Sequence, residues 1–156
     1  TDPMNIPRRW ADVSVLPDGR VLITGGSQKD NNDGSDAVYQ SEMWDPATGK
    51  WTLGPSAAIY RGYHSTSTLL INGAQFRFSH EFHLVLQSSS GMPGPVTNFN
   101  IEIYYPPYLF QKSGSASVRA SRPRVVSLST NSLNYGETLQ LQLESPTDVS
   151  EVSFIA

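Results

Sequence analysis

The amino-acid sequence predicts an all-β chain assembled from tandem antiparallel hairpins. Three observations lead there. Short apolar runs alternate with turn signals, and no long stretch places apolar residues at helical spacing. Twelve glycines and eleven prolines among 156 residues supply the turns, while 38% hydrophobic residues set the chain apart from disordered sequences. One pattern of about fifty residues occurs twice in tandem, a spacing typical of repeat architectures.

The first unit is legible element by element. Val13-Ser14-Val15-Leu16 runs into Pro17-Asp18-Gly19, and Arg20-Val21-Leu22-Ile23-Thr24 leads away. Proline suits the second position of a turn and glycine supplies positive φ, so these residues predict a β-hairpin. Gly25-Gly26 follows; two glycines in succession let backbones approach where a side chain would clash. A polar loop, 28–36, leads to a second hairpin. Its strands run from Tyr39 to Trp44 and from Lys50 to Leu53, around the turn Asp45-Pro46-Ala47-Thr48-Gly49.

The pattern then recurs. His64 stands 54 residues after Trp10, and Leu70-Ile71-Asn72-Gly73 stands 54 after Leu16-Pro17-Asp18-Gly19. Glu102-Ile103-Tyr104-Tyr105-Pro106 follows Glu42-Met43-Trp44-Asp45-Pro46 at a shift of 60. Four strands per unit, paired glycines after the second strand and a late aromatic pair predict kelch-type β-propeller blades over residues 1–105. Two blades make an incomplete ring, so the remainder of the propeller is needed to close it. Ser79-His80 stands where the glycine pair would recur, and residues 74–87 alternate as one long strand, an insertion relative to the first unit. Pro106-Pro107 and the Ser/Gly-rich stretch 112–121 predict a linker over 106–122. Alternating runs at 122–129, 137–143 and 149–156 then predict three strands, the start of a truncated immunoglobulin-like β-sandwich over 123–156.

Charge and composition exclude several function classes. The net charge is −3 and the eleven basic residues are scattered, so no basic stripe is available for nucleic acid. No apolar run approaches the ~18 residues of a membrane helix, so no membrane partner is expected. The chain has no cysteine, which removes disulfides, thiolate ligands and cysteine nucleophiles from its own chemistry. No signal peptide is visible in it.

The order of the motifs carries a resemblance. Arg8-Arg9-Trp10 precedes the Leu16-Pro17-Asp18-Gly19 turn and Gly25-Gly26; Trp44 to Trp51 follows, then Tyr63-His64-Ser65. Pro93 to Asn100, Glu102 to Leu109 and Arg122-Pro123 complete the series. This succession resembles the C-terminal blades and early-set domain of the galactose oxidase and glyoxal oxidase family of copper radical oxidases, over nearly the whole chain. The resemblance implies copper as the cofactor, with Tyr63 and His64 as metal ligands. It makes Tyr63 the axial ligand and the catalytic residue that takes the substrate's hydroxyl proton, and His64 an equatorial imidazole. It implies a secreted or extracytoplasmic parent that converts a primary alcohol or aldehyde while reducing dioxygen to hydrogen peroxide. Carbohydrates and small alcohols or aldehydes are its implied partners. The family's cysteine-linked radical tyrosine and second histidine ligand fall outside these residues, so the copper site is incomplete here and the chain alone is expected to be inactive.

Other readings stand beside this one. Phenolate and imidazole suit copper, and adjacent side chains on an irregular segment can converge where strand neighbours diverge; yet Tyr63 and His64 also fit as ordinary blade-junction residues. A non-catalytic kelch scaffold that binds carbohydrate or protein through its loops is the alternative function. His80 and His83 are three apart on an alternating strand, which sends them to opposite faces rather than to one metal. Asp30 to Asp36 has the composition of a calcium loop but lacks its terminal glutamate, and fits a solvated loop. Trp10, Trp44, Trp51 and Tyr104 fit either a sugar groove or repeat packing, with packing favoured by their strand and junction positions.

Overall fold

The computed structural model describes residues 1–70, 84–88, 98, 100–121, 123–146, 149 and 152, with backbone alone at 70 and 84–88. Its regular structure among these residues is β apart from a 3-10 turn at Pro107–Leu109. No helix among them is long and apolar enough to cross a membrane. Contacts divide the chain into two units, one from the described residues of Thr1–Leu70 and His83–Pro106, the other from those of Pro107–Ala156.

The first unit opens with a four-stranded antiparallel meander: β1 (Asp12–Val15), β2 (Val21–Thr24), β3 (Gln40–Asp45) and β4 (Lys50–Ser56). The expected hairpins lie where the turn residues place them. Leu16 and Arg20 close the first through an N–H to carbonyl bond of 2.8 Å, with Gly19 at φ +79°. Register assigns two faces. Ser14, Leu22, Met43 and Thr52 lie on one; Val13, Ile23, Glu42 and Leu53 lie on the other. Leu22, Ile23, Met43, Val38 and Leu16 form the buried apolar core around this sheet.

A second meander follows: β5 (Thr66–Leu70), β6 (Leu84–Ser88) and β7 (Ile101–Tyr104), in the order β5-β6-β7. The long strand expected over 74–87 is described only from Leu84, and the rest of it lies outside the described residues. The first strands of the two sheets face each other. Ser14 Oγ lies 2.9 Å from Ser67 Oγ and 3.3 Å from the Ser67 carbonyl, and Ser65 Oγ donates to Asp12 Oδ2 at 2.6 Å. Short polar side chains let these two strands approach where Leu or Ile would hold them apart.

Each sheet is locked by an arginine that precedes it. Arg8 donates to the Gly25 and Gln40 carbonyls and to Glu42 Oε1 at 2.6 Å, and both side chains of the Arg8–Glu42 pair are fully buried. Glu42 also accepts the Asn5 and Ile6 backbone N–H groups and the Asn5 amide. Arg61 repeats this in the second sheet, donating to the Asn100 carbonyl at 2.9 Å and pairing with Glu102 at 3.4 Å. Asn100 and Glu102 are the residues that the 60-residue shift aligns with Gln40 and Glu42. Burying a guanidinium and a carboxylate is tolerable because nearly every donor and acceptor around them is used.

The Gly25-Gly26 pair joins the two sheets. Both residues have positive φ, +67° and +95°. A Cβ on Gly25 would strike the Arg61 carbonyl oxygen, and one on Gly26 would lie 2.6 Å from that of Arg9. The Gly26 N–H donates to the Arg61 carbonyl at 2.6 Å, so the close approach is itself a hydrogen bond.

In the second unit, β8 (Phe110–Ser113) and β9 (Ala116–Arg119) form a hairpin inside the segment that sequence assigned to a linker. Ser113 pairs with Ala116 and Gly114 has φ +62°, so the Ser-Gly-Ser stretch is the chemistry of a two-residue turn. β10 (Val125–Leu128) and β11 (Leu141–Leu143) pair antiparallel, shorter than the two strands expected there; the third, at 149–156, lies largely outside the described residues. Arg124 and Glu144 extend this pair by a 3.0 Å ion pair.

Glu42 generates a prediction. Its burial pushes the carboxyl upward, and the bonds from Asn5, Arg8 and Ile6 outweigh that, holding it below the ordinary carboxylate value. A depressed carboxyl stabilises the fold above its unfolded pKa, and that contribution is lost as pH falls through the folded pKa. Glu42→Ala strands Arg8 without its counter-charge and is expected to cost about 3 kcal/mol in urea unfolding at neutral pH. Glu42→Gln is expected to cost less and to flatten the acid limb of the stability profile. A variant as acid-sensitive as the parent chain would refute the assignment.

Candidate metal-binding site

The segment from Tyr60 to Ser65 leads into β5 and carries both residues singled out as ligands. It is shaped by turn bonds: the Ser65 N–H donates to the Gly62 carbonyl at 2.9 Å, and His64 has φ +64°. Trp10, its counterpart in the first unit, has φ +54° and likewise precedes a first strand. Left-handed backbone costs an L-residue about 1–2 kcal/mol, so both junctions hold a strained aromatic side chain in place.

Tyr63 and His64 are brought together. Their ring centroids are 3.9 Å apart with planes tilted by 31°. Tyr63 is half-buried and His64 exposed. Trp10 meets Tyr63 edge-on, with centroids 5.6 Å apart and planes at 69°. The positive φ at His64 is what folds adjacent side chains onto one side; on an extended strand they would diverge. A phenol oxygen and an imidazole nitrogen are donors that copper accepts. Among the described residues no group of three or more His, Cys, Asp or Glu side chains is placed to hold a metal.

The other residues noted in the sequence fall elsewhere. His80 and His83 lie outside the described residues. Trp44 and Trp51 pair across β3 and β4, the Trp44 Nε1 is buried, and the Trp51 Nε1–H donates to the Asp2 carbonyl at 3.1 Å. In the acidic loop the Asp36 carboxylate is taken by Asn31, Ser35 and Lys29. Asn32, in the same loop, is buried, and its Oδ1 accepts the Tyr60 Oη–H at 3.0 Å and the Tyr63 N–H at 3.2 Å. Sequence reasoning missed it, because a polar residue between Asn31 and Asp33 carries no sign of facing inward.

The chain is 30% identical over 144 residues to a galactose oxidase of Gibberella zeae, across 90% of the chain. The chain is galactose oxidase-like. A second galactose oxidase of that fungus is 30% identical over 134 residues. The fold matches a fungal alcohol oxidase of the AA5 family, in complex with copper, at a TM-score of 0.71 and 26% identity over 88% of the chain. The galactose oxidase-like chain spans about a fifth of the length of those curated relatives, 19% and 18%, and 27% of that structure. No family model matches it.

Two predictions follow from this segment of the galactose oxidase-like chain. His64→Gly relieves the left-handed strain and His64→Ala does not, so the glycine variant is expected to be about 1 kcal/mol more stable than the alanine variant in urea unfolding. Equal stabilities would mean that His64 does not hold a positive φ. Asp12, beside Ser65, has its pKa raised by burial, partly offset by the Ser65 hydrogen bond. Its contribution favours the fold below the unfolded pKa and is lost as pH rises through the folded one. Asp12→Asn keeps an acceptor for Ser65 without the charge, and is expected to raise stability at pH 7 and to change it little near pH 3. A loss at pH 7 would contradict the sign.

Proposed function

We propose that this chain forms two neighbouring blades of a kelch-type β-propeller, followed by the start of an immunoglobulin-like domain, within a larger secreted copper radical oxidase. Tyr63 and His64 are two of the copper ligands. The observation that supports this best is the meeting of their rings at the head of β5, in a chain 30% identical to galactose oxidase. The contact between β1 and β5 supports it too, since the first strands of adjacent blades lie nearest one another around a propeller axis. Open apolar positions at Val13, Val15, Ile101 and Ile103 suit further blades on either side.

In this reading the substrate is a primary alcohol or aldehyde, small or part of a carbohydrate, and dioxygen is reduced to hydrogen peroxide. Copper, when bound, supplies one-electron redox chemistry between Cu(II) and Cu(I). His64 would contribute an imidazole nitrogen from its left-handed turn. Tyr63 contributes its phenol oxygen and takes the proton from the substrate hydroxyl. Trp10 packs edge-on against Tyr63 and limits its rotation. Removing two electrons from the substrate requires a second redox group, which the family resemblance assigns to a cysteine-linked tyrosine. This chain contains no cysteine. The chain by itself is therefore inactive.

The test is Cu(II) titration of the chain followed by electron paramagnetic resonance, with a coupled peroxide assay on galactose, glyoxal and simple primary alcohols. The expected result is weak, nitrogen-coupled Cu(II) binding that His64→Ala abolishes, and no turnover. A signal unchanged in His64→Ala would sink the ligand assignment. Sustained peroxide production that needs both His64 and substrate would show that the chain carries its own radical residue.

A further inference from the structure

Asn32, Tyr60 and Gly62 form one buried knot that supports the half-buried Tyr63. Asn32 is 8% exposed and Tyr60 5%. A backbone N–H can only donate, so the Asn32 atom facing the Tyr63 N–H is the oxygen, and the amide orientation is settled by its partner. The Tyr60 phenol donates to the same oxygen. Burial raises the pKa of that phenol, with Asp33 and Tyr39 adding to the shift, so it remains a donor at neutral pH. Asn98 Nδ2 donates to the Tyr60 carbonyl at 2.9 Å. The Tyr60 ring sits so close under Gly62 that any Cβ there would overlap the phenol and lie 2.8 Å from Asn32 Oδ1.

The loop that carries Asn32 is built to present it. The Gln28 N–H donates to the Asp36 carbonyl at 2.9 Å, Ser27 Oγ to Asn31 Oδ1 at 3.1 Å, and Asn31 Nδ2 to Asp36 Oδ2 at 2.9 Å. Lys29 pairs with Asp36 at 3.1 Å and Arg9 with Asp30 at 3.0 Å. Asp30 and Asp36 are thus taken up by Arg9, Lys29 and Asn31, while Asn32 points inward.

We infer that Asn32 is the positioning residue for the Tyr63-His64 pair: its side-chain oxygen fixes the Tyr63 backbone and so sets where both rings stand. This rests on the proposed role of those rings for its consequence, but its geometry is independent of copper. The requirement is specific. The position needs an acceptor of asparagine length, and a carboxylate meets that requirement where an alkyl side chain does not.

The test is amide hydrogen exchange of the chain, read at Tyr63 and, as a reference, at Leu22 and Met43 in the core strands. In the unsubstituted chain the Tyr63 amide is expected to be protected although it precedes β5; free exchange there overturns the proposal without any variant. Asn32→Leu is expected to speed Tyr63 exchange about tenfold, the worth of one good hydrogen bond, with Leu22 and Met43 unchanged. Asn32→Asp is expected to restore the protection. Equal acceleration at all three sites, or no rescue by aspartate, would reduce Asn32 to a general packing role and overturn the proposal. Cu(II) resonance spectra of the same proteins separate the two readings. A His64-dependent signal that changes in Asn32→Leu and returns in Asn32→Asp supports both. No His64-dependent signal in the unsubstituted chain defeats the copper reading and leaves the exchange result to decide the role of Asn32.

Discussion

Buried guanidinium–carboxylate pairing is the constraint on which the first two sheets depend. Arg8 and Glu42 lie wholly out of water, and an uncompensated charge there would be prohibitive. The pair survives because Arg8 also binds three carbonyls, and Glu42 also binds three donors from Asn5 and Ile6. The effect is to tie the segment before β1 to the middle of β3. Arg61 and Glu102 do the same for β5 and β7, with Arg61 buried and Glu102 partly open. One device thus fixes the entry of the chain into each sheet.

That device also places the candidate site. Arg61 immediately precedes Gly62-Tyr63-His64, and its carbonyl receives the Gly26 N–H from the first sheet. Gly25 and Gly26 have no side chains to obstruct this, and their positive φ lets the backbone turn across. The junction is therefore held by the arginine pair on one side and the glycine crossing on the other. Asn32 and Tyr60 support it from below. Strain at His64 can persist because so many neighbours over-determine the segment.

The second unit is built differently. Its described strands bury little, with Val126 and Leu128 both substantially exposed. Its order comes from turn chemistry: Gly114 in one hairpin, and the Asn134–Glu137 turn, where the Asn134 N–H reaches Glu137 Oε2 at 2.8 Å. Composition alone made the first of these look like a linker. Serine and glycine signal both flexible spacers and tight turns, and only the pairing of Phe110 with Arg119 distinguishes them.

The sequence by itself determined the all-β character, the turns and the repeat, because each is a local property. A Pro-Asp-Gly turn or an alternating strand is written in adjacent residues, and a repeat is two local patterns at fixed spacing. The resemblance to galactose oxidase was legible for the same reason, through Tyr63-His64-Ser65 and its ordered neighbours. Only the tertiary structure decided what those residues touch. It brought Arg8 to Glu42, Gly26 to Arg61 and Asn32 to Tyr63, pairs about thirty residues or more apart in the chain. A buried asparagine within an acidic loop looks like its exposed neighbours until the chain folds, since burial is set by what packs against a residue and not by the residue itself.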